Sequence, residues 1–309
     1  MKFVITGGLG HIGSLLIRKL DFWYPNSNIV IIDNLHSQRY CSLFNLPKQS
    51  KKIFINKNLC DLELQDIFKD TKCVFHLAAI TNAAASFDNA SEVENNNFNA
   101  TKKVALACKE VSVPMIYISS TSVYGTSSKK VDENCSEIEL KPQSPYAESK
   151  LKEENFLKEL SQNSHLEMVI LRFGTIFGIS PGMRFHTAVN KFCFQASFGL
   201  PLTVWKTAYE QLRPYLYLED AMKAFKILID QSLFDNQIYN VLTGNYSVKN
   251  IIDEIRLFYP NLEIKFVESK IMNQLSYEVL NEKFKSKGFT TQNNIKEGIQ
   301  ETLKILEIN

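Results

Sequence analysis

Six short runs rich in Val, Ile and Phe recur along the first 173 residues: "KFVIT" (2–6), "NIVIID" (28–33), "KIFIN" (52–56), "CVFHLAA" (73–79), "PMIYISS" (114–120) and "EMVILRF" (167–173). None alternates polar with apolar positions. A strand with one wet face shows that alternation, so its absence predicts strands covered on both faces, as in a parallel sheet. Between the runs lie "HIGSLLIRKLDFW", "LQDIFKD", "ASEVENNNFNATKKVALACKEV" and "YAESKLKEENFLKELSQ", each with apolar residues at helical intervals. Parallel neighbours can be joined only by a crossover, and the strand–helix repeat therefore predicts an α/β fold with a doubly wound sheet.

Beyond Arg172 the pattern loosens. "FGTIFGISPGMRFH" reads as loop, "AVNKFCFQASFG" as a helix ended by Gly199 and Pro201, and "SVKNIIDEIRLFY" and "NNIKEGIQETLKIL" as helices of a second, smaller lobe. The expected division is a first domain over 1–174, joined by returning elements near 214–243, and a lobe made mostly of 175–309.

Composition narrows the function. The 309 residues are 45% hydrophobic and 22% charged with a net charge of +2, and the Lys and Arg are scattered among acids rather than gathered in a stripe. That excludes a nucleic-acid footprint. No apolar run approaches the roughly 20 residues that cross a bilayer, and glycines interrupt the N-terminal run, so a cytoplasmic protein is expected. The six cysteines contain no C-x-x-C and the five histidines show no ligand spacing, which predicts free thiols and no metal.

"TGGLGHIG" follows the first run directly and opens a helix. In that context Gly7 permits a tight turn, Gly10 lets backbone approach a pyrophosphate, and Gly13 allows close helix–strand packing. The amides near His11 and Ile12 are expected to face phosphate oxygens. Asp33, 20 residues after Gly13, can accept from an adenosine ribose diol and would repel a 2′-phosphate. The reading is a Rossmann-type domain for NAD rather than NADP.

"SPYAESK" (144–150) carries the chemistry. Ser144 and Pro145 start a helix, and the i,i+4 spacing puts Lys150 beside the Tyr146 phenol, where a cation favours phenolate. A lone Y-x-x-x-K is a surface pair; behind a glycine turn and Asp33 it reads as catalysis.

With "TGGLGHIG", "IIDNL", "HLAA", "ISSTSVYG", "PYAESK", "LRFGTIFG" and "QLRPYLYLEDA" in this order, the chain resembles the extended short-chain dehydrogenase/reductase family, and within it the nucleotide-sugar epimerases and dehydratases. The resemblance implies Tyr146 as acid/base, Lys150 as its activator and ligand of the nicotinamide ribose, and Ser120 as the hydroxyl on the reacting oxygen. It further implies cofactor contacts from Asp33, Asn34, Asn58, Leu59, Leu77, Ala78, Ala79 and Asn97. Substrate contacts are implied for Thr121, Ser122, Thr175, Arg184, Asn190 and Arg213, the last two toward a nucleotide diphosphate. Thr175 and Leu275 depart from the pattern, standing where the family commonly has an asparagine and a second phosphate-binding arginine. A homodimer is implied through the helices at 89–112 and 145–163, whose apolar stripes could equally be core.

Thr121 and Ser122 occupy the positions of the Asp-Glu pair with which 4,6-dehydratases of the family remove a proton and expel water, and no hydroxyl replaces a carboxylic acid there. Ser122 also stands where the 3,5-epimerising relatives place cysteine. The expectation is therefore NAD-dependent redox chemistry at C4 of a nucleotide-diphosphate sugar, as a 4-epimerase or a 4-dehydrogenase. "TIFGISPGMRFHTAVNKF" resembles enzymes of bacterial surface-polysaccharide sugars, with GDP-heptose a candidate substrate. The alternatives are a 4,6-dehydratase, a 4-reductase, and a non-catalytic dinucleotide-binding regulator.

Overall fold

The structure, a computed structural model, describes residues 1–81, 85–87, 89–125, 129–268, 276–291 and 294–307. Leu275 lies outside the described residues. The strands at the start of the chain are β1 (Lys2–Thr6), β2 (Asn28–Ile32), β3 (Lys51–Ile55), β4 (Cys73–His76) and β5 (Met115–Ser120); β6 (Lys130–Val131) is a two-residue strand, and β7 (Met168–Phe173) follows. Then come β8 (Thr175–Phe177), β9 (Leu202–Trp205), β10 (Arg213–Tyr217), β11 (Ile238–Val241), β12 (Gly244–Tyr246), β13 (Ile264–Val267) and β14 (Glu278–Val279). The helices are α1 (His11–Trp23), α2 (Leu64–Phe68), α3 (Ala90–Glu110), α4 (Pro145–Gln162), α5 (Ala188–Ser197), α6 (Leu218–Gln231), α7 (Val248–Arg256), α8 (Glu282–Lys285) and α9 (Ile295–Leu306).

Seven strands form one sheet in the order β11-β7-β5-β4-β1-β2-β3, all parallel. Both faces are covered, as the unalternating runs require. Along β1, Phe3 and Ile5 enter a core closed by α1 and α6, whereas Val4 enters the opposite core beneath α3 and α4. The order reverses between β1 and β4, and such a switch point opens a crevice at the carboxyl ends of the strands.

The second lobe has its own core, built from α5, α7, α9 and the short sheet β12-β10-β8. Of the segment 214–243, α6 and β11 join the main sheet; β10 does not, pairing instead with β8 and β12. Strands of three to five residues leave too little periodicity to assign a sheet from sequence.

The helix expected to start at "SPYAESK" is α4. Ser144 caps it, its side chain accepting from the Ala147 amide at 3.2 Å, and Pro145 takes the first position, where its missing N–H costs nothing. A buried ion pair docks the helix: Arg172 of β7 donates to Glu154 through Nε at 3.0 Å and Nη2 at 2.6 Å, and through Nη1 to the Tyr124 hydroxyl at 2.9 Å. Replacing Arg172 by Met strands a buried carboxylate, with an expected loss of about 3–5 kcal/mol in denaturant unfolding. Adding Glu154→Leu to that variant is expected to restore most of the loss.

Candidate active site

The crevice is a single cleft of about 910 Å³ running from the glycine turn, past the ends of β1, β4 and β5, to the second lobe. Its first end is made of backbone. Gly7 has φ +65°, and a Cβ there would stand 2.6 Å from the Ala78 backbone; one on Gly13 would stand 2.6 Å from Gly8. Only glycine permits this close packing of turn, strand and helix. Gly10, His11, Ile12 and Gly13 line the cleft at the start of α1. Asp33 follows β2 and lines it too; its Oδ2 accepts from Leu9 N at 3.0 Å and its Oδ1 from Leu35 N at 2.9 Å. Each carboxylate oxygen keeps a lone pair for a ribose hydroxyl, so the residues present fit a dinucleotide.

Asn34, Asn58, Leu59, Leu77, Ala78 and Ala79 line the same end. Asn34 Oδ1 accepts from the His36 amide. The Asn58 oxygen, expected on adenine, caps a short helical turn by accepting from Cys60 N at 2.9 Å. Asn97 does not reach the cleft as expected. It is wholly buried in α3 and binds both backbone groups of Ile80, at 2.8 and 3.1 Å, so it shapes the cleft wall through Ile80.

At the other end, Ser120, Thr121, Ser122, Tyr146 and Lys150 line the cleft together. Ser120 Oγ accepts from the Ser122 amide at 3.1 Å and lies 2.9 Å from Ser122 Oγ. Thr121 spends its hydroxyl proton on the Phe173 carbonyl. Lys150 is 4% exposed; its Nζ donates to the Tyr117 hydroxyl at 3.1 Å and sits over that ring.

Thr175, Arg184 and Arg213, expected to contact substrate, also line the cleft. Arg184 Nη1 donates to Thr81 at 2.7 Å, while its buried Nε has no partner among the described residues. Burial lowers the Arg184 pKa from the usual guanidinium value, against the pull of Tyr146. Arg213 stacks on Tyr277 and donates to Gln211. Asn190 was expected to contact a nucleotide diphosphate. It is wholly buried, its oxygen taken by Gly178 N and its amide nitrogen by Arg184 O, so it holds the Arg184 loop and has no face on the cleft.

Sequence reasoning missed three elements. His11 was read for its backbone, yet its Nε2 donates to the Gly178 carbonyl at 2.8 Å and ties α1 to the second lobe. Arg39 also lines the cleft and donates to Gly182 O. Beneath the floor, Glu153 accepts from Tyr117 at 2.7 Å and Thr101 at 2.6 Å; the adjacent acids "EE" at 153–154, one turn past Lys150, were the available signal.

A Rossmann-type cleft that joins a dinucleotide cradle to a Ser/Tyr/Lys group defines a nicotinamide-dependent oxidoreductase class. The sequence profile of the NAD dependent epimerase/dehydratase family matches residues 3–241, and the chain belongs to that family. NAD is its cofactor.

Among solved structures the chain is similar to UDP-N-acetylglucosamine 4-epimerase from Methanobrevibacter ruminantium M1 in complex with UDP-N-acetylmuramic acid. The TM-score is 0.85 at 27% identity, covering 98% of this chain and 97% of that one. MoeE5 in complex with UDP-glucose and NAD gives 0.84 at 25% identity, with 98% of each chain covered. A dTDP-D-glucose 4,6-dehydratase from Bos taurus is 30% identical across 98% of this chain and 88% of the relative. The chain spans about half the length, 47%, of a trifunctional UDP-glucose 4,6-dehydratase/3,5-epimerase/reductase of Arabidopsis thaliana, to which it is 28% identical.

Two buried histidines make stability depend on pH. Burial, reinforced for His11 by Arg184 and for His76 by Lys150, holds both down to about 3. The unfolded chain protonates them near pH 6.5 while the folded chain does not, so their contribution is complete above that value and is lost as pH falls below it. Between about pH 7.5 and about pH 5.5 each is expected to cost about 1.4 kcal/mol of unfolding free energy. Urea titrations at the two pH values check this, and His76→Gln is expected to remove about half of the difference, leaving the His11 share.

Proposed function

We propose that the chain is an NAD-dependent enzyme acting at C4 of a nucleotide-diphosphate sugar, either as a 4-epimerase or as a 4-dehydrogenase. One observation supports the reading: Ser120, Tyr146 and Lys150 line the same cleft as the glycine turn and Asp33, and the residues that follow Ser120 are hydroxyls, not acids. Asp33 and Glu92 are the carboxylates among the described lining residues, and no cysteine is among them.

In this reading Gly7, Gly10, the amides of His11, Ile12 and Gly13, Asp33 and the ends of β2 and β4 hold the dinucleotide, which when bound accepts hydride from the sugar carbon. Tyr146 as phenolate removes the C4 hydroxyl proton. Ser120 holds the same oxygen by hydrogen bond, and Lys150 favours the phenolate and binds the nicotinamide ribose. Arg213 and Arg184 meet the anionic part of the substrate, where forked guanidinium donors suit phosphate oxygens. Thr175 and Ser122 contact the sugar.

The structural neighbours bind UDP-sugars, which makes these the first substrates to test, with GDP-heptose beside them for a role in surface-polysaccharide synthesis. The helices α3 and α4 pack on one another and form the face proposed for a cytoplasmic homodimer. A second reading, 4,6-dehydration, is favoured by the 30% identity to the dTDP-glucose enzyme; against it stand Thr121 and Ser122.

Incubation with a panel of UDP-, dTDP- and GDP-sugars is expected to give a C4 epimer or a 4-keto sugar that retains its 6-hydroxyl. A 4-keto-6-deoxy product would establish the dehydratase instead. Tyr146→Phe is expected to lower kcat by about 10²–10⁴-fold while leaving NAD affinity within a few-fold.

A further inference from the structure

The Glu153 carboxylate lies below the cleft floor with no solvent exposure, three residues along α4 from Lys150. Its Oε2 accepts from the Thr101 hydroxyl at 2.6 Å and the Tyr117 hydroxyl at 2.7 Å, and its Oε1 from the Ser149 hydroxyl at 2.8 Å. Lys150 Nζ stands 3.5 Å from Oε2 and shares the Tyr117 oxygen.

Taking Glu153 as the ionised acceptor gives the network one consistent set of protons. The single hydroxyl proton of Thr101 goes to Glu153, so His76 Nε2, 3.0 Å from the same oxygen, donates to it. His76 Nδ1 then carries the lone pair and accepts from Thr6 at 2.7 Å, whose oxygen in turn receives the Ala78 amide at 3.4 Å. Every donor in the chain is directed toward Glu153. With the Thr101, Tyr117 and Ser149 hydroxyls all donating to it, Glu153 is satisfied as the carboxylate. Burial alone would raise its pKa, but the Lys150 ammonium and the hydroxyl donors reverse that and lower it.

We propose that Glu153 is the counter-charge of the Lys150–Tyr146 pair, a positioning residue that holds the ammonium against the sheet and offsets part of its pull on the phenol. The proposal rests on the reading of Tyr146 as the acid/base. The groups packed around Glu153 leave little else to titrate near neutrality. On β5, burial and Glu153 push Tyr117 well above the ordinary tyrosine range. On β4, burial and Lys150 hold His76 down to about 3. On α3, Thr101 is neutral; on α4, Glu154 is neutralised by Arg172 of β7. Arg184, from the second lobe, faces Tyr146 as the other cation. Removing the Glu153 charge therefore lets the ammonium act on the phenol undiminished.

The test is the near-ultraviolet phenolate titration of Tyr146 in the NAD-bound protein, isolated by subtracting the Tyr146→Phe variant, with and without Glu153→Gln. Glutamine keeps the shape, and Ser149 can turn its hydroxyl to accept from the new amide. The midpoint is expected to move about one pH unit lower in Glu153→Gln, with NAD still bound. If the glutamine variant does not fold, Glu153→Asp, which withdraws the charge by one methylene, is expected to shift it in the same direction by less. An unmoved midpoint, or an upward shift, in the variant that folds overturns the proposal. Turnover of nucleotide sugars by the unaltered protein is scored separately: its failure would strike the enzymatic reading, whereas the titration reports on Glu153 without any substrate.

Discussion

Two adjacent buried carboxylates, Glu153 and Glu154, fix α4 to the sheet, and the arrangement of the cleft follows from that attachment. Glu154 takes the Arg172 guanidinium of β7 and the Ser119 hydroxyl of β5, while Glu153 takes hydroxyls from β5 and α3. Charged groups this deep cost several kcal/mol each unless they are paired and hydrogen-bonded, so α4 has few alternative ways to sit. Its first two turns, which carry Tyr146 and Lys150, consequently line the same cleft as Ser120 at the end of β5.

The opposite end of the cleft uses backbone rather than charge. There the turn after β1 packs so closely on Ala78 and Gly8 that side chains are excluded, and a helix N-terminus is left facing the space above the switch point. Asp33 links the two features, because its carboxylate braces the turn through Leu9 while lining the cavity. The second lobe is coupled to this end as well. The His11 imidazole reaches Gly178, Ser180 donates to the His11 carbonyl, and Arg39 reaches Gly182, so the glycine turn and the 178–182 loop are tied by direct hydrogen bonds.

Much of this was legible in the sequence for physical reasons. A strand buried on both faces must be apolar throughout, and a turn with no room for Cβ must be glycine, so the sheet, the cradle and the α4 start could be read from residue type and spacing. Asn97 and Asn190 show where that logic stops. An amide can serve a ligand or a backbone equally well, and both residues serve backbone, at Ile80 and Gly178. Glu153 was hidden for the converse reason, since a glutamate on a helix ordinarily marks the wet face. Short strands such as β8 and β12 carry too few residues for a period to register.

In the function proposed above, hydride leaves C4 of a sugar held against Tyr146. The most direct measurement is a single turnover with a nucleotide sugar deuterated at C4, followed by acid quench and mass analysis of the dinucleotide and the sugar. The deuterium is expected on the nicotinamide ring, or returned to C4 in an inverted product. Deuterium lost to solvent water, or never leaving a sugar whose C4 is unchanged, would contradict that function.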